Sequence, residues 1–303
     1  MMHAVKDISQ GVANGDFLLL AKSISGIENR EAGADAFLES LQPNSVPIIG
    51  VTGPPGAGKS TLISCLIEHW VKEGKRVAIL SVDPSSPFHK GAILGDRIRM
   101  KDWYMNPNVF IRSLATRGHL GGLMNGMIEL TTLLQSVGFD IILIETVGVG
   151  QSEVEIAGLA DTTVVVLVPE AGDEVQMMKS GLMEIAQIFV VNKSDRPDAE
   201  AFTNHLLHMM REGLGEQHTI PVIKTIASQQ LGIDELVAAI AAQQSNGLST
   251  KRKKQLLISK LYQIIAAHQM RSLNGPMIEA ELATAMQQKH FNIFEFANKF
   301  FNV

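Results

Sequence analysis

Cysteine is almost missing from this sequence: Cys65 is the single thiol in 303 residues. That excludes an internal disulfide framework and any cysteine-rich metal cluster, and it fits a reducing cytoplasm. An excess of positive charge is missing too. Lys and Arg total 26 against 31 Asp and Glu, a formal charge of −5, which argues against a general nucleic-acid backbone binder. Long apolar runs are lacking. The longest, such as "VVVLV" from Val164, suit a strand and fall far below a membrane span. The start "MMHAVKDISQ" has no basic region leading into an apolar stretch, so no secretory signal is expected. No internal repeat or low-complexity tract stands out. What remains is 46% hydrophobic and 19% charged, a globular composition able to bury a sizeable core.

The hydrophobic pattern changes twice along the chain. Residues 1–44 read as a helical extension, with apolar positions at helical spacing in "FLLLAKSI" and "ADAFLESL". "QPNSVP" from Gln42 is a break rich in turn formers. Residues 45–246 then alternate short β-rich runs with amphipathic stretches. The runs are "VPIIGVTG", "RVAILSVD", "NVFIRSL", "DIILIET", "TTVVVLVPE", "QIFVVNKSD" and "IPVIKTIAS". Between the first two, "STLISCLIEHWVKEG" carries its apolar residues on one face and stops at Gly74. Strands alternating with helices predict an α/β fold, a mainly parallel sheet with helices on both faces. Ligands of such sheets sit beyond the C-terminal strand ends. In residues 247–303 the β runs cease; "KRKKQLLISKLYQIIAAHQM" reads as a long helix and a second helical segment follows from Pro276. The basic start Lys251–Lys254 reads as a solvated face.

Gly53-Pro54-Pro55-Gly56-Ala57-Gly58-Lys59-Ser60-Thr61 fits G-x-x-x-x-G-K-[ST] between a strand and a helix, the P-loop NTPase context. Gly53 and Gly58 let the backbone wrap around phosphates, and amides at the helix N-terminus supply donors. Lys59 is expected to reach the β- and γ-phosphates, and Ser60 to hold Mg²⁺ through its hydroxyl. The alternative is a glycine-rich turn with an exposed lysine.

Asn192-Lys193-Ser194-Asp195 closes another buried strand. N-K-x-D reads guanine. The Asp195 carboxylate accepts from the ring N–H and exocyclic amine, for which adenine has no matching pair of donors, while the Lys193 stem packs on the base. A polar site left unpaired by the wrong ligand discriminates by about 10⁴-fold. Taken alone the tetrapeptide is ordinary turn chemistry; its place at a strand end beyond a P-loop gives it meaning. "KTIAS" is expected to close over the base with Ala227 and Ser228, or else to be a plain exit from a strand.

Three acids are candidates near the γ-phosphate. Asp83 ends "VAILSVD", Asp96 lies within "DPSSPFHKGAILGDRIRM", and Glu145 ends "DIILIE" where an Asp is usual. Mg²⁺ takes octahedral oxygen ligands, often one or two carboxylates directly or through water. With Asp83 at hand, the longer Glu145 could act through water and Gly148 could offer its amide to the γ-phosphate. The bland alternatives are a turn acid before Pro84, a helix N-cap at Asp96 and a strand-end salt bridge at Glu145. Gln151 stands three positions beyond Gly148, with no Gln directly after that glycine.

Together "GPPGAGKST", "DPSSPF…GAILGDRIRM", "IRSLATRGHLGGL", "ETVGVGQSE", "GDEVQMMKSG" and "VNKSD" closely resemble the MeaB/ArgK GTPases, in which Glu replaces the usual Asp of the third GTPase motif. The resemblance spans roughly Pro47 to Leu236. It implies a homodimeric, cytoplasmic G-protein chaperone of an adenosylcobalamin-dependent acyl-CoA mutase, typically methylmalonyl-CoA mutase, which gates cofactor delivery and protects the mutase. It implies nucleotide, Mg²⁺ and hydrolysis roles for Lys59, Ser60, Asp83, Asp96 and Glu145, and a third switch from Glu170 to Lys179 in which Asp173, Gln176 and Lys179 couple nucleotide state to the partner. Composition alone would make that third segment a capped helix start with a core Met pair. The resemblance also suggests that the C-terminal helices form the dimer, through Leu256, Leu257, Leu261 and Ile265, which could equally pack on their own domain. His89-Lys90 and Glu170 depart from the family pattern, where small or hydroxyl residues and Gly respectively are common.

Three rival readings stay open at this stage, one of them a non-enzymatic dimeric scaffold that only holds nucleotide. A P-loop ATPase or kinase linked to basic amino-acid transport is disfavoured by "NKSD". A nickel-insertion GTPase needs Cys or His ligands, whereas Cys65 sits on the buried face of the P-loop helix and the nine histidines are scattered.

Overall fold

The computed structural model describes residues 2–83, 100–115, 126–146, 155–169, 181–214, 220–245, 250–271, 273, 275–287 and 290–300. The chain divides into two compact units, Met1–Arg252 and Lys253–Val303. The first unit is built on seven strands: β1 (Ile48–Thr52), β2 (Val77–Asp83), β3 (Val109–Ala115), β4 (Ile141–Glu145), β5 (Thr162–Leu167), β6 (Ile188–Val191) and β7 (Val222–Lys224). Their order is β3-β2-β4-β1-β5-β6-β7, and every pair is parallel. This is the P-loop NTPase class of α/β fold.

Parallel pairing needs a crossover between partners, and the helices that cross cover both faces of the sheet. Strand interiors are therefore mostly apolar: β1, β4, β5 and β6 are buried at every position, polar residues falling mainly at the strand ends. The pleat sorts alternate residues to opposite faces. Ile142 and Ile144 of β4 join the N-terminal helices α1 (Val5–Ala13), α2 (Leu18–Glu28) and α3 (Ala34–Glu39) and the later helix α5 (Met127–Ser136) in one core. Ile141 and Leu143 join the opposite core, made with α4 (Lys59–Lys72) and α8 (Ile233–Ser245). A third cluster packs α6 (Leu182–Ile185) and α7 (Ala199–Leu214) on Val165, Leu167, Phe189 and Val191. Each fully buried Leu or Ile contributes about 1.5–3 kcal/mol.

The helical extension at the N-terminus is thus part of a core. Phe17, just before α2, meets Phe110 of β3 and Phe139 before β4 at centroid distances of 5.5 and 6.1 Å. Arg112 of β3 pairs with Glu28 and bonds Ser25 of α2. Helix α4 ends where expected: Gly74 takes φ +77, and the Lys75 amide returns to the Trp70 carbonyl over 3.0 Å, a left-handed C-terminal closure.

The second unit holds most of α9 (Thr250–Arg271), with α10 (Gly275–Ala285) and α11 (Ile293–Asn298). Asn292 caps α11 by accepting from the Phe294 amide at 2.9 Å. Among the described residues no helix is long and apolar enough to cross a membrane.

Candidate functional site

The sheet topology marks one crevice. From β1 the chain runs outward to β2 and β3, returns to β4, then crosses to β5, β6 and β7 on the other side. The connections diverge around the C-terminal end of β1, the place where an open parallel sheet leaves room for a ligand. In register, Val51 of β1 and Ser81 of β2 both lie beside Glu145 of β4, and Leu167 of β5 lies beside Val191 of β6. Strands carrying distant segments of sequence therefore end side by side.

The loop after β1 turns on two glycines. Gly53 has φ +137, and a Cβ there would sit 2.0 Å from the Val166 carbonyl oxygen. Gly58 has φ +90, and a Cβ there would meet Asn192 Nδ2 at 2.4 Å. Only glycine takes these angles at so little clearance. The chain then enters α4 with Gly58 at its N-cap and no side-chain cap. The first amides of α4 are thus directed into the loop, where an anion is favoured.

Lys59 folds back over the loop. Its ammonium donates to the carbonyls of Gly53 at 2.7 Å and Pro54 at 3.0 Å. Pro55 and Gly56 lie exposed on the loop, Ala57 is buried, and Thr61 lies on the exposed side of α4. Ser60 is buried and donates to Glu145 Oε1 at 2.7 Å; Ser81 reaches the other carboxylate oxygen at 3.4 Å. One residue on, the Thr146 hydroxyl donates to Thr52 Oγ1 at 2.8 Å. Glu145 is thus held among hydroxyls of the P-loop helix and a neighbouring strand. Asp83 ends β2, beside Ala115 in register, and only its backbone is described. Asp96, Gly148, Asp173, Gln176 and Lys179 lie outside the described residues.

The second half of the site is joined to the first through Asn192. Its amide donates to the Ala57 carbonyl at 2.8 Å, and its side-chain oxygen accepts from Thr225 Oγ1 at 3.0 Å and from the Ala227 amide at 3.1 Å. Asn192 is buried and these bonds satisfy both ends of its amide. Lys193 takes φ +56 and donates to the Gly56 carbonyl at 2.8 Å. Its aliphatic stem therefore runs from the strand end toward the P-loop, where a base laid between the two would pack on it. Asp195 is exposed in the following turn. Ala227 and Ser228 occupy a 3₁₀ turn (Ala227–Gln229) inside the Ile226–Leu231 bridge.

Three contributors escaped the sequence reading. Ser81, Thr225 and the Cys65 thiol, which donates to the Ala227 carbonyl at 3.2 Å, all brace the site. Ser81 stands two residues before a strand-end acid, and Thr225 directly follows a strand, so position was the available signal. Burial pushes the Cys65 thiol above its ordinary pKa, and the Glu68 charge adds to the effect. Among the described residues no group of three or more His, Cys, Asp or Glu gathers as a metal cage.

The family model described as methylmalonyl Co-A mutase-associated GTPase MeaB matches residues 20–275. A protein of Pyrococcus horikoshii that bears a GTPase name is 42% identical over 266 residues, 84% of each chain. The GTPase ArgK of Escherichia coli is 37% identical over 238 residues, 75% of this chain and 72% of that one. Among solved structures, a LAO/AO transport system kinase superposes with a TM-score of 0.66 and 25% identity, covering 94% of this chain and 87% of the other.

Proposed function

The chain belongs to the MeaB family of methylmalonyl Co-A mutase-associated GTPases, and on that premise we propose that it is the GTP-driven chaperone of an adenosylcobalamin-dependent acyl-CoA mutase in the cytoplasm. The observation that carries the reading is Asn192. It ties N-K-x-D to the P-loop through Ala57, which brings the groups suited to guanine next to the groups suited to phosphates.

In this reading residues 45–246 are the G domain. The amides of Gly53 and of Gly56 to Thr61, together with the Lys59 ammonium, bind the β- and γ-phosphates; Pro54 and Pro55 have no N–H to offer. A phosphate would take the ammonium from the Gly53 and Pro54 carbonyls that now hold it. Asp195 accepts from guanine, and Lys193 with Ala227 and Ser228 encloses the base. Ser60 and Glu145 present buried hard oxygen donors 2.7 Å apart, the chemistry that suits Mg²⁺. With Asp83 and Asp96 they are the residues that would hold it. Bound there, Mg²⁺ would supply positive charge to the phosphates for transfer of the γ-phosphoryl group to water, with GDP as the leaving group. Gly148 would contact the γ-phosphate, and Asp173, Gln176 and Lys179 would pass its presence to the mutase by ordering of a switch segment.

We assign residues 247–303 to homodimer formation. Leu257, Leu261, Ile264 and Ile265 of α9 are 60, 55, 47 and 43% exposed. Their spacing puts them on one stripe of the helix, an apolar face that a second copy would cover.

The test is steady-state GTP hydrolysis by the purified protein, alone and with the mutase of the same organism. A slow basal rate that rises on adding the mutase is the expected outcome. A rate indifferent to every such mutase would remove the chaperone role and leave the GTPase. Equal binding of ATP and GTP would instead favour a transport-linked kinase.

A further inference from the structure

One face of the P-loop helix touches the base-closing turn at two points and the start of α8 at a third. Cys65 Sγ donates to the Ala227 carbonyl at 3.2 Å. Three residues on, Glu68 accepts from Gln230 Nε2 at 2.5 Å. Beside it His69 Nδ1 lies 3.2 Å from an Asp234 carboxylate oxygen, at the start of α8. The three donors and acceptors on α4 follow one another at helical spacing, so they share a face. Their partners follow one another along Ala227–Asp234.

The turn itself is a small closed unit. Ile226 and Leu231 exchange backbone hydrogen bonds at 3.0 and 3.3 Å, which encloses Ala227, Ser228, Gln229 and Gln230. Gln230 sits at φ +58, a conformation that L residues rarely adopt. A non-glycine residue there carries strain that its Glu68 contact helps to offset. Gly232 follows at φ +76, and a Cβ there would lie 2.2 Å from the Lys224 carbonyl oxygen, so the turn is pressed close to β7. The amide of Ala227 is already taken by Asn192. Ala227 is therefore fixed at its amide by the N-K-x-D strand end and at its carbonyl by the P-loop helix.

We infer that Cys65, Glu68 and Gln230 are positioning residues for base recognition: they latch the Ala227–Gln230 turn to α4, so that its backbone meets the guanine edge already in place. This rests on the guanine-site reading above and is independent of any mutase. A group that merely stabilises the fold would affect every ligand of the site alike. A latch on the base-closing turn affects the base and spares the phosphates.

Two probes separate these effects: GDP, which spans the site, and inorganic tripolyphosphate, which occupies the phosphate end alone. Wild-type preference for GDP over ADP is measured first, and its absence would remove the guanine-site reading and this inference with it. Given that preference, Gln230→Ala and Cys65→Ala should weaken GDP binding about threefold to tenfold, with faster GDP release and tripolyphosphate affinity unchanged. Cys65→Ser keeps a donor toward Ala227 and should stay close to wild type. Should the Cys65 variants fail to fold, Gln230→Ala and Glu68→Ala on the exposed side of the seam decide the matter. Unchanged GDP affinity in those two, or an equal fall for GDP and tripolyphosphate, overturns the inference. So does a Cys65→Ser variant that behaves like Cys65→Ala.

Discussion

The Ser60 hydroxyl donates to Glu145 Oε1 over 2.7 Å, joining the first turn of α4 to the last residue of β4 across 85 positions of sequence. Both groups are buried. A carboxylate removed from water is costly unless it is hydrogen-bonded, and here serines of the P-loop helix and of β2 supply the bonds. The longer acid at position 145 reaches the P-loop hydroxyl directly from its strand.

Replacing that carboxylate by an amide tests its part in metal binding. Glu145→Gln keeps the shape and an oxygen acceptor for Ser60 but loses the charge. The Mg²⁺ concentration at half-maximal GTP turnover should rise about 10–100-fold. A Mg²⁺ titration of hydrolysis reads it directly, and an unmoved midpoint would remove Glu145 from the metal site.

Asp195→Asn should exchange the preferred base. The amide offers a donor where guanine presents donors, so GTP affinity should fall by about 10²-fold or more, while xanthosine triphosphate should gain. Competition binding with both nucleotides measures the change. Retained GTP selectivity would show that guanine is read elsewhere.

Glycine substitutions in the first unit should divide by clearance. Gly53→Ala places a methyl group 2.0 Å from the Val166 carbonyl oxygen, so the strand end or the loop must move. A loss of about 3 kcal/mol or more is expected. Gly33 has φ +89 with open space around it, so Gly33→Ala should cost only the left-handed conformation, about 1–2 kcal/mol. Urea denaturation of the two variants gives the comparison, and equal losses would contradict the geometry.

The Cys65 thiol gives a pH signature. Burial raises its pKa in the folded chain, so the folded state holds the proton more tightly than the unfolded one. The stability this contributes is fully present below the unfolded thiol pKa, about 8.5, and is lost as pH rises through the folded value. Wild-type stability should therefore decline above about pH 9 more steeply than that of Cys65→Ala. Alkylation by iodoacetamide at pH 8 should be slow in the native protein and fast in urea. Rapid native labelling would contradict the burial.

Much of the fold could be read from local pattern. The seven β-rich runs each overlap one of the seven strands, β3 running one residue past its run to Ala115, and the break at "QPNSVP" separates α3 from β1. Gly74 stops α4 as expected. Such features depend on neighbours within a few residues: apolar period, a glycine at positive φ, a turn-forming cluster. The short helix α11 near the C-terminus escaped that reading, being six residues long with little room for a period to show. The P-loop and N-K-x-D were legible as strings, and so was the acid at the end of β4.

By itself the sequence determined which residues become strands and helices and which chemical groups stand at the strand ends, because both are matters of local periodicity and side-chain type. Tertiary structure alone decided the strand order that sets β4 between β1 and β2, and with it the approach of Glu145 to Ser60. It also decided that the Asn192 amide is spent on Ala57, Thr225 and Ala227, and that Cys65 faces the Ala227 carbonyl. These contacts join residues 33 to 162 positions apart. No local pattern encodes such a pair; it arises when crossover helices bury both faces of the sheet and bring the strand ends together.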